Sequence, residues 1–140
     1  MSEAMVNVAK YIQELVAEYP AIREVWLIGS RANQSAREDS DWDMLVFTES
    51  GVLDALRDDV RFHHLHIDLL VVNSTDDHFE KPWGDKRKKG TLQAWKWKRL
   101  TESEASYESQ LWIPDPIQKY AEETGDWEDL KLKALRLWPQ

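Results

Sequence analysis

The sequence predicts one compact α+β domain. Apolar residues near the N-terminus recur at helical spacing, and three later runs of apolar residues are typical of buried strands. The composition, 42% hydrophobic and 31% charged among 140 residues, is that of a globular fold. The chain contains no cysteine, which excludes disulfides, thiolate nucleophiles and cysteine metal sites.

The first half of the chain alternates between helices and strands. Apolar spacings of three and four predict a helix that ends before Pro20, and the apolar runs that follow predict short buried strands. The predicted elements are, in order, a helix (Met5–Tyr19), two strands (Glu24–Ile28 and Trp42–Phe47), a short helix (Val52–Leu56) and a strand (His66–Val72).

The second half carries weaker signals. Alternation between Trp95 and Lys98 predicts a strand over Thr91–Thr101, followed by a hairpin partner that runs through Tyr107. The C-terminal part, residues 114–140, is expected to be helical, with helices over Ile117–Glu123 and Trp127–Trp138. Because no linker divides the chain, we expect residues 1–140 to form a single domain whose motif core spans about residues 22–72.

The charge is unevenly distributed. The net charge is −8, yet the segment Lys81–Arg99 holds eight basic residues and one acid, with Trp83, Trp95 and Trp97 interspersed. Such a segment is compatible with nucleic-acid binding, but we favour a solvated loop beside a half-buried strand. With no long apolar stretch and no signal-peptide pattern, we expect a cytoplasmic protein that does not bind membranes.

Three aspartates accompany the predicted strands. Asp41 and Asp43 flank Trp42 at the start of one strand, and Asp68 lies near the start of the next. A carboxylate in a mostly buried strand needs a partner, and a divalent cation such as Mg²⁺ or Mn²⁺ suits several oxygen ligands together. Residues two apart share a strand face, about 6.6 Å apart, and a neighbouring strand about 4.8 Å away adds a third carboxylate. The aspartates are therefore candidate catalytic residues and metal ligands.

A glycine and a serine follow the first predicted strand. Gly29 allows close approach of the backbone, and Ser30 offers a hydroxyl where exposed N–H groups open a helix, which together favour phosphate binding. Taken alone, this pair is typical of an ordinary turn with a serine N-cap. Together with the aspartates it favours a site that holds phosphate and metal side by side.

The joint pattern resembles a known superfamily. Gly29-Ser30-x-Ala32, then Asp41-x-Asp43, then Asp68 in an apolar strand is similar to the nucleotidyltransferases that share the palm of DNA polymerase β, nearest the minimal nucleotidyltransferases. The resemblance implies a mixed β-sheet flanked by helices. It also implies transfer of a nucleoside monophosphate from a nucleoside triphosphate, with ATP-type substrates and Mg²⁺, to an acceptor hydroxyl that the sequence does not identify.

The resemblance also assigns roles to individual residues. Gly29 and Ser30 would hold the triphosphate, with Arg31 either assisting or lying on the surface. Asp41 and Asp43 would bind the metals, and Asp68 would complete the metal site and accept the acceptor's proton. Gln34 stands where many members have a second glycine, so we expect Asn33 to supply any left-handed turn required there.

Two other functions are compatible with the sequence. A nucleotide-binding regulatory or antitoxin-like module would act through a protein partner, as small members of the superfamily do with a helical toxin, and Trp127–Trp138 would be the surface to suspect. A Zn²⁺-dependent phosphohydrolase would instead use His64, His66 and Asp68, which alternate along one predicted strand face. The preferred metal distinguishes this hydrolase from a transferase.

Overall fold

A computed structural model of the chain describes residues 7–33, 40–49, 51–73, 77–83, 89–114 and 125–139. Within these ranges, three α-helices, one 3-10 helix and eight strands are formed. The helices are α1 (Val8–Glu18), α2 (Gly29–Ala32) and α3 (Val52–Arg57), and the 3-10 helix is Val60–Phe62. The strands are β1 (Ile22–Ile28), β2 (Trp42–Thr48), β3 (Ile67–Asn73), β4 (His78–Glu80), β5 (Lys89–Thr91), β6 (Lys98–Arg99), β7 (Glu104–Pro114) and β8 (Gly125–Trp138).

The described strands form one mixed sheet in the order β5-β4-β3-β2-β1-β8-β7-β6. β2 and β3 are parallel, and the other described pairings are antiparallel. α3 lies in the connection from β2 to β3, as a parallel pair requires. The prediction of a mixed sheet accompanied by helices is confirmed, although the sheet takes up more of the chain than expected.

The predicted elements of the first half are confirmed. α1 begins after Asn7, whose side chain accepts a hydrogen bond from the Lys10 N–H at 3.0 Å, and it ends two residues before Pro20. Residues 1–6, with the predicted helix start at Met5, lie outside the described part of the chain. None of the helices in the described ranges is long and apolar enough to cross a membrane.

The predicted C-terminal helix over Trp127–Trp138 is wrong, because this segment is strand β8, between β1 and β7. The deciding signal is an alternation of period two: Leu130, Leu132 and Ala134 are at least partly buried, whereas Lys131 and Lys133 are exposed. The sheet therefore holds the segment that we suspected as a partner-binding surface. The other predicted helix, Ile117–Glu123, lies outside the described residues.

The strand predicted over Thr91–Thr101 is also largely wrong. Leu92–Lys96 forms turns, Lys96 has a φ of 54°, and only Lys98–Arg99 is a strand, which pairs with β7. The predicted hairpin through Tyr107 therefore exists with a much shorter first strand. The segment from 92 to 97 connects the two edges of the sheet, β5 and β6, by crossing one of its faces.

The two faces of the sheet are covered differently. On one face, α1, α3 and the 3-10 helix pack against residues such as Val25, Met44 and Leu69. The opposite face is covered by the crossing segment, whose Trp97 packs against Trp26. Aromatic side chains, rather than helices, therefore cover this second face, and a cavity lies beside these side chains.

We expect Leu15→Ala to lower the free energy of unfolding by about 2–5 kcal/mol, because Leu15 is 0% exposed where α1 packs on the sheet. The matched control is Glu14→Ala on the exposed side of the same helix, with an expected change within about 0.5 kcal/mol. Chemical denaturation measures both. Equal losses would contradict the assignment of this helix face to the core.

Candidate active site

Two of the predicted aspartates lie side by side on the sheet. Asp43 and Asp68 are the second residues of β2 and β3, and the parallel register pairs them directly. Their backbones are therefore about 4.8 Å apart, with both side chains on one face. Leu45 and Leu70, two residues further along each strand, place this face opposite the helices. The sheet thus brings together two carboxylates that lie 25 positions apart in the sequence.

Gly29 lies against one carboxylate of this pair, that of Asp43. β1 ends at Ile28, whose register partner is Asp43, and the chain turns into α2 at Gly29 with a φ of 72°. A Cβ at position 29 would lie 2.6 Å from Asp43 Oδ2. Glycine is therefore needed both for the backbone conformation and for the space that the carboxylate occupies.

Asn33 fastens the Gly29 turn to the sheet. Its amide donates to the carbonyls of Gly29 (2.8 Å) and Lys133 (3.1 Å), and its side-chain oxygen accepts from the Lys133 N–H at 2.8 Å. Asn33 has a φ of −109°, so the expectation that it supplies a left-handed turn is wrong. Its side-chain amide instead holds the turn through hydrogen bonds to Gly29 and to Lys133 of β8. Gln34 lies outside the described residues.

Tyr107 joins the site from β7, 78 positions away in the sequence. The Gly29 N–H donates to the Tyr107 hydroxyl oxygen at 2.8 Å. Burial raises the pKa of Tyr107 and the charge of Asp43 raises it further, while the hydrogen bond from Gly29 opposes both effects. The phenol is therefore protonated at neutral pH. The Tyr107 hydroxyl thus already accepts a hydrogen bond from the Gly29 N–H, the group that we expected to bind a phosphate.

Lys81 engages the second carboxylate. Its ammonium lies 2.6 Å from Asp68 Oδ2, and only 12% of its side chain is exposed. β4 pairs Glu80 with Val71, so the next residue, Lys81, follows opposite Leu70 and reaches Asp68. In the sequence Lys81 is simply the first residue of a basic segment, since the pairing of β4 with β3 is not visible there.

These groups line one cavity of about 430 Å³. Its polar end holds Asp43, Asp68 and Lys81 beside Gly29. The full lining is Ile28, Gly29, Asp43, Asp68, Leu70, Phe79, Lys81, Trp95, Tyr107 and Leu132. Three of the predicted site residues thus meet in it, whereas Ser30, Arg31 and Asp41 are not part of this lining.

The cavity is also lined by an aromatic wall, formed by Phe79, Trp95 and Tyr107. The Trp95 ring is stacked on Tyr107 at 5.1 Å between centroids and lies 4.6 Å from Phe79. The Trp95 carbonyl also accepts from the Glu108 N–H at 2.7 Å, which holds the crossing segment on β7. Only the non-local pairing of β7 could have indicated this wall.

The tryptophans of the basic segment do not form one surface. Trp83 stacks on His63 at 5.1 Å and donates to the Leu56 carbonyl at 2.7 Å, on the helix-covered side of the sheet. Trp95 and Trp97 lie on the opposite face. A single aromatic strip for stacking nucleic-acid bases is therefore not formed by these three side chains.

Asp41 lies just before β2 with an exposed side chain, and its carboxylate is 3.9 Å from His66 Nδ1. Arg31 is more enclosed than a surface residue: its guanidinium donates to the Ser40 carbonyl at 2.8 Å and lies over the Trp42 ring at 4.6 Å. Both residues thus lie beside the start of β2. The role of Asp41 as a metal ligand stays a prediction.

The histidines do not form the expected Zn²⁺ set. β3 begins only at Ile67, the His64 ring accepts from the His66 N–H at 2.9 Å, and Asp68 faces Lys81. In the part of the chain that the structure describes, no three acidic or histidine side chains are grouped as a metal site. The hydrolase interpretation therefore lacks its ligand set.

The carboxylate pair has the donor chemistry for Mg²⁺ or Mn²⁺, because both ions prefer carboxylate oxygen. Asp43 and Asp68 are neighbours in the strand register, and Asp68 also pairs with the Lys81 ammonium. The three-carboxylate set expected from the sequence is not assembled among the described residues. The geometry thus accounts for fewer ligands than a site for two metals needs.

Comparison with known families identifies the chain. The family model for polymerase beta, nucleotidyltransferase, matches residues 10–82. The chain belongs to this family. No curated protein and no solved structure matches it significantly. The matched residues include the Gly29 turn, both paired aspartates and Lys81, whereas Trp95 and Tyr107 lie beyond them.

We expect Gly29→Ala to weaken Mn²⁺ binding severalfold, because the new Cβ displaces the Asp43 carboxylate. Gly51→Ala is the matched control: Gly51 also has a positive φ, 98°, but a Cβ there meets no atom within 4 Å. Both variants should lose about 1–2 kcal/mol of stability through backbone strain. Mn²⁺ titration and chemical denaturation separate the effects, and equal Mn²⁺ affinities would contradict the close approach.

Proposed function

We propose that this protein is a metal-dependent nucleotidyltransferase that moves a nucleoside monophosphate from a nucleoside triphosphate to an acceptor hydroxyl. The observation that carries the proposal is the register pairing of Asp43 with Asp68 beside the Gly29 turn. It occurs in a chain of the polymerase beta nucleotidyltransferase family, and within the matched residues.

The proposed division of roles follows from position. Gly29 and Ser30 open α2 and receive the phosphates, while Asp43 and Asp68, with Asp41 as a further candidate, hold Mg²⁺ or Mn²⁺. The metal, when bound, neutralises the triphosphate and stabilises charge on the phosphoryl group. Asp68 is also the carboxylate proposed to accept the proton of the acceptor hydroxyl. The cavity gives these groups a common space.

The aromatic wall bears on the ligand. Phe79, Trp95 and Tyr107 present ring faces and edges beside the charged end of the cavity. Such surfaces favour a flat ring, and the triphosphate carries one as its nucleobase. We therefore propose that the base lies against this wall.

Label transfer tests the activity. The protein is incubated with each radiolabelled triphosphate, Mg²⁺ and a cell lysate, and we expect one class of acceptor to acquire label. Absence of label from every triphosphate and acceptor source would favour the regulatory module acting through a partner. That alternative lost its suspected helical surface, because Trp127–Trp138 lies in the sheet as part of β8.

We expect Asp43→Asn and Asp68→Asn each to lower transfer by about 10²-fold to 10⁴-fold or more, since each removes a charge that the reaction uses. Asp54→Asn is the control, because Asp54 is 85% exposed and pairs with nearby Arg57. Initial rates on folded variants measure the effect. Full activity in either site variant would remove that residue from the mechanism.

We expect Tyr107→Phe to tighten triphosphate binding by up to about tenfold. A phosphate that takes the Gly29 N–H must first displace the Tyr107 hydroxyl, and such a hydrogen bond is worth about 0.5–1.5 kcal/mol. Tyr11→Phe is the matched control, because Tyr11 donates to the Phe62 carbonyl on the helix-covered face. Calorimetry measures both affinities. Weaker binding by Tyr107→Phe would instead make the hydroxyl a contact of the ligand.

A further inference from the structure

Lys81 places a positive charge inside the proposed active site. Its ammonium is 2.6 Å from Asp68 Oδ2, and 12% of its side chain is exposed, against 36% for Asp68. Exposed ion pairs form and break readily in water, but this lysine is largely enclosed by the cavity that also contains Asp43. The ion pair is therefore a built part of the site rather than a surface contact.

The strand pairing holds Lys81 in place. β4 is hydrogen bonded to β3 through Val71 and Val72, and Phe79 on β4 packs in the core of the same sheet face. Lys81 directly follows β4. Because β4 pairs with β3, which contains Asp68, this pairing fixes the backbone position of Lys81 relative to Asp68. Its side chain points toward Asp68 because of this register, and does not depend on a mobile loop to bring it there.

We propose that Lys81 is the resident cation of Asp68, so that the carboxylate pair holds one divalent ion, based on Asp43, instead of two. This inference rests on the proposed function and deepens it. Two carboxylates and one ammonium are the charged side chains of the described cavity lining, which leaves a single net negative charge. A second divalent ion at Asp68 would meet the ammonium at close range and be repelled.

The donor set is consistent with this role. The described residues contain no group of three acidic or histidine side chains that could hold a metal, and Asp41 is placed beside His66. The ammonium supplies at Asp68 the positive charge that a further metal would supply. Lys81 acts as a positioning residue: its ammonium balances the charge of the Asp68 carboxylate and fixes the orientation of that carboxylate.

Counting bound Mn²⁺ tests the proposal on the full chain, without nucleotide and without an activity readout. Free Mn²⁺ is followed by electron paramagnetic resonance as it is titrated into the wild type and into Lys81→Met, which keeps the length of the side chain and removes its charge. Lys81→Arg retains the charge. Lys133→Met is the matched control, because Lys133 pairs with Glu104 at 4.0 Å and its side chain is 55% exposed.

We expect the wild type, Lys81→Arg and Lys133→Met to bind one Mn²⁺ per chain. In Lys81→Met, Asp68 becomes available, so we expect either a second Mn²⁺ or an affinity at least about tenfold higher for the first. The double variant Lys81→Met with Asp68→Asn leaves neither charge unpaired. It should return to one Mn²⁺ of wild-type affinity, which guards against a single variant that folds poorly.

The outcomes separate this inference from the proposed function. Two Mn²⁺ in the wild type, or identical binding by the wild type and Lys81→Met, would overturn the role of Lys81. Neither result would contradict the proposed transfer activity. A gain in Lys81→Met that persists in the double variant would also overturn it, because the new ion would not be at Asp68. No Mn²⁺ binding in any variant would overturn both the inference and the metal dependence of the proposed function.

Discussion

The parallel register of β2 and β3 is the constraint on which the rest of the site depends. It sets Asp43 directly beside Asp68 on a half-buried face of the sheet. Two neighbouring carboxylates repel each other and are poorly solvated, so each requires compensation. At Asp68 the Lys81 ammonium meets this requirement. Gly29 packs so closely on Asp43 that no side chain fits between them.

The same constraint explains how the two faces of the sheet differ. α1, α3 and the 3-10 helix cover the face opposite the carboxylates with apolar contacts. On the carboxylate face a helix would bury the charges, whereas the thinner crossing segment covers the apolar part and leaves a cavity. Trp95 lies at the boundary, in contact with Tyr107 on one side and Phe79 on the other.

The late strands complete a site whose sequence motif lies in the first half of the chain. β8 pairs with β1 and is fastened to the Gly29 turn by Asn33, and β7 brings the Tyr107 hydroxyl to the Gly29 N–H. The family match ends at residue 82, so these contacts are made by the remainder of the chain. The region beyond the family motif therefore shapes both the surroundings of the Gly29 turn and the aromatic wall of the cavity.

The sequence by itself determined the elements of the first half, and it indicated that Gly29, Asp43 and Asp68 belong together. Both followed because apolar periodicity and motif spacing are local properties. It did not determine β8, since a short segment with both helical and alternating spacing is decided by its neighbours in the sheet. Lys81 and Tyr107 were invisible for a related reason. Their partners are fixed by strand register, which arises only when distant segments pair in the folded protein.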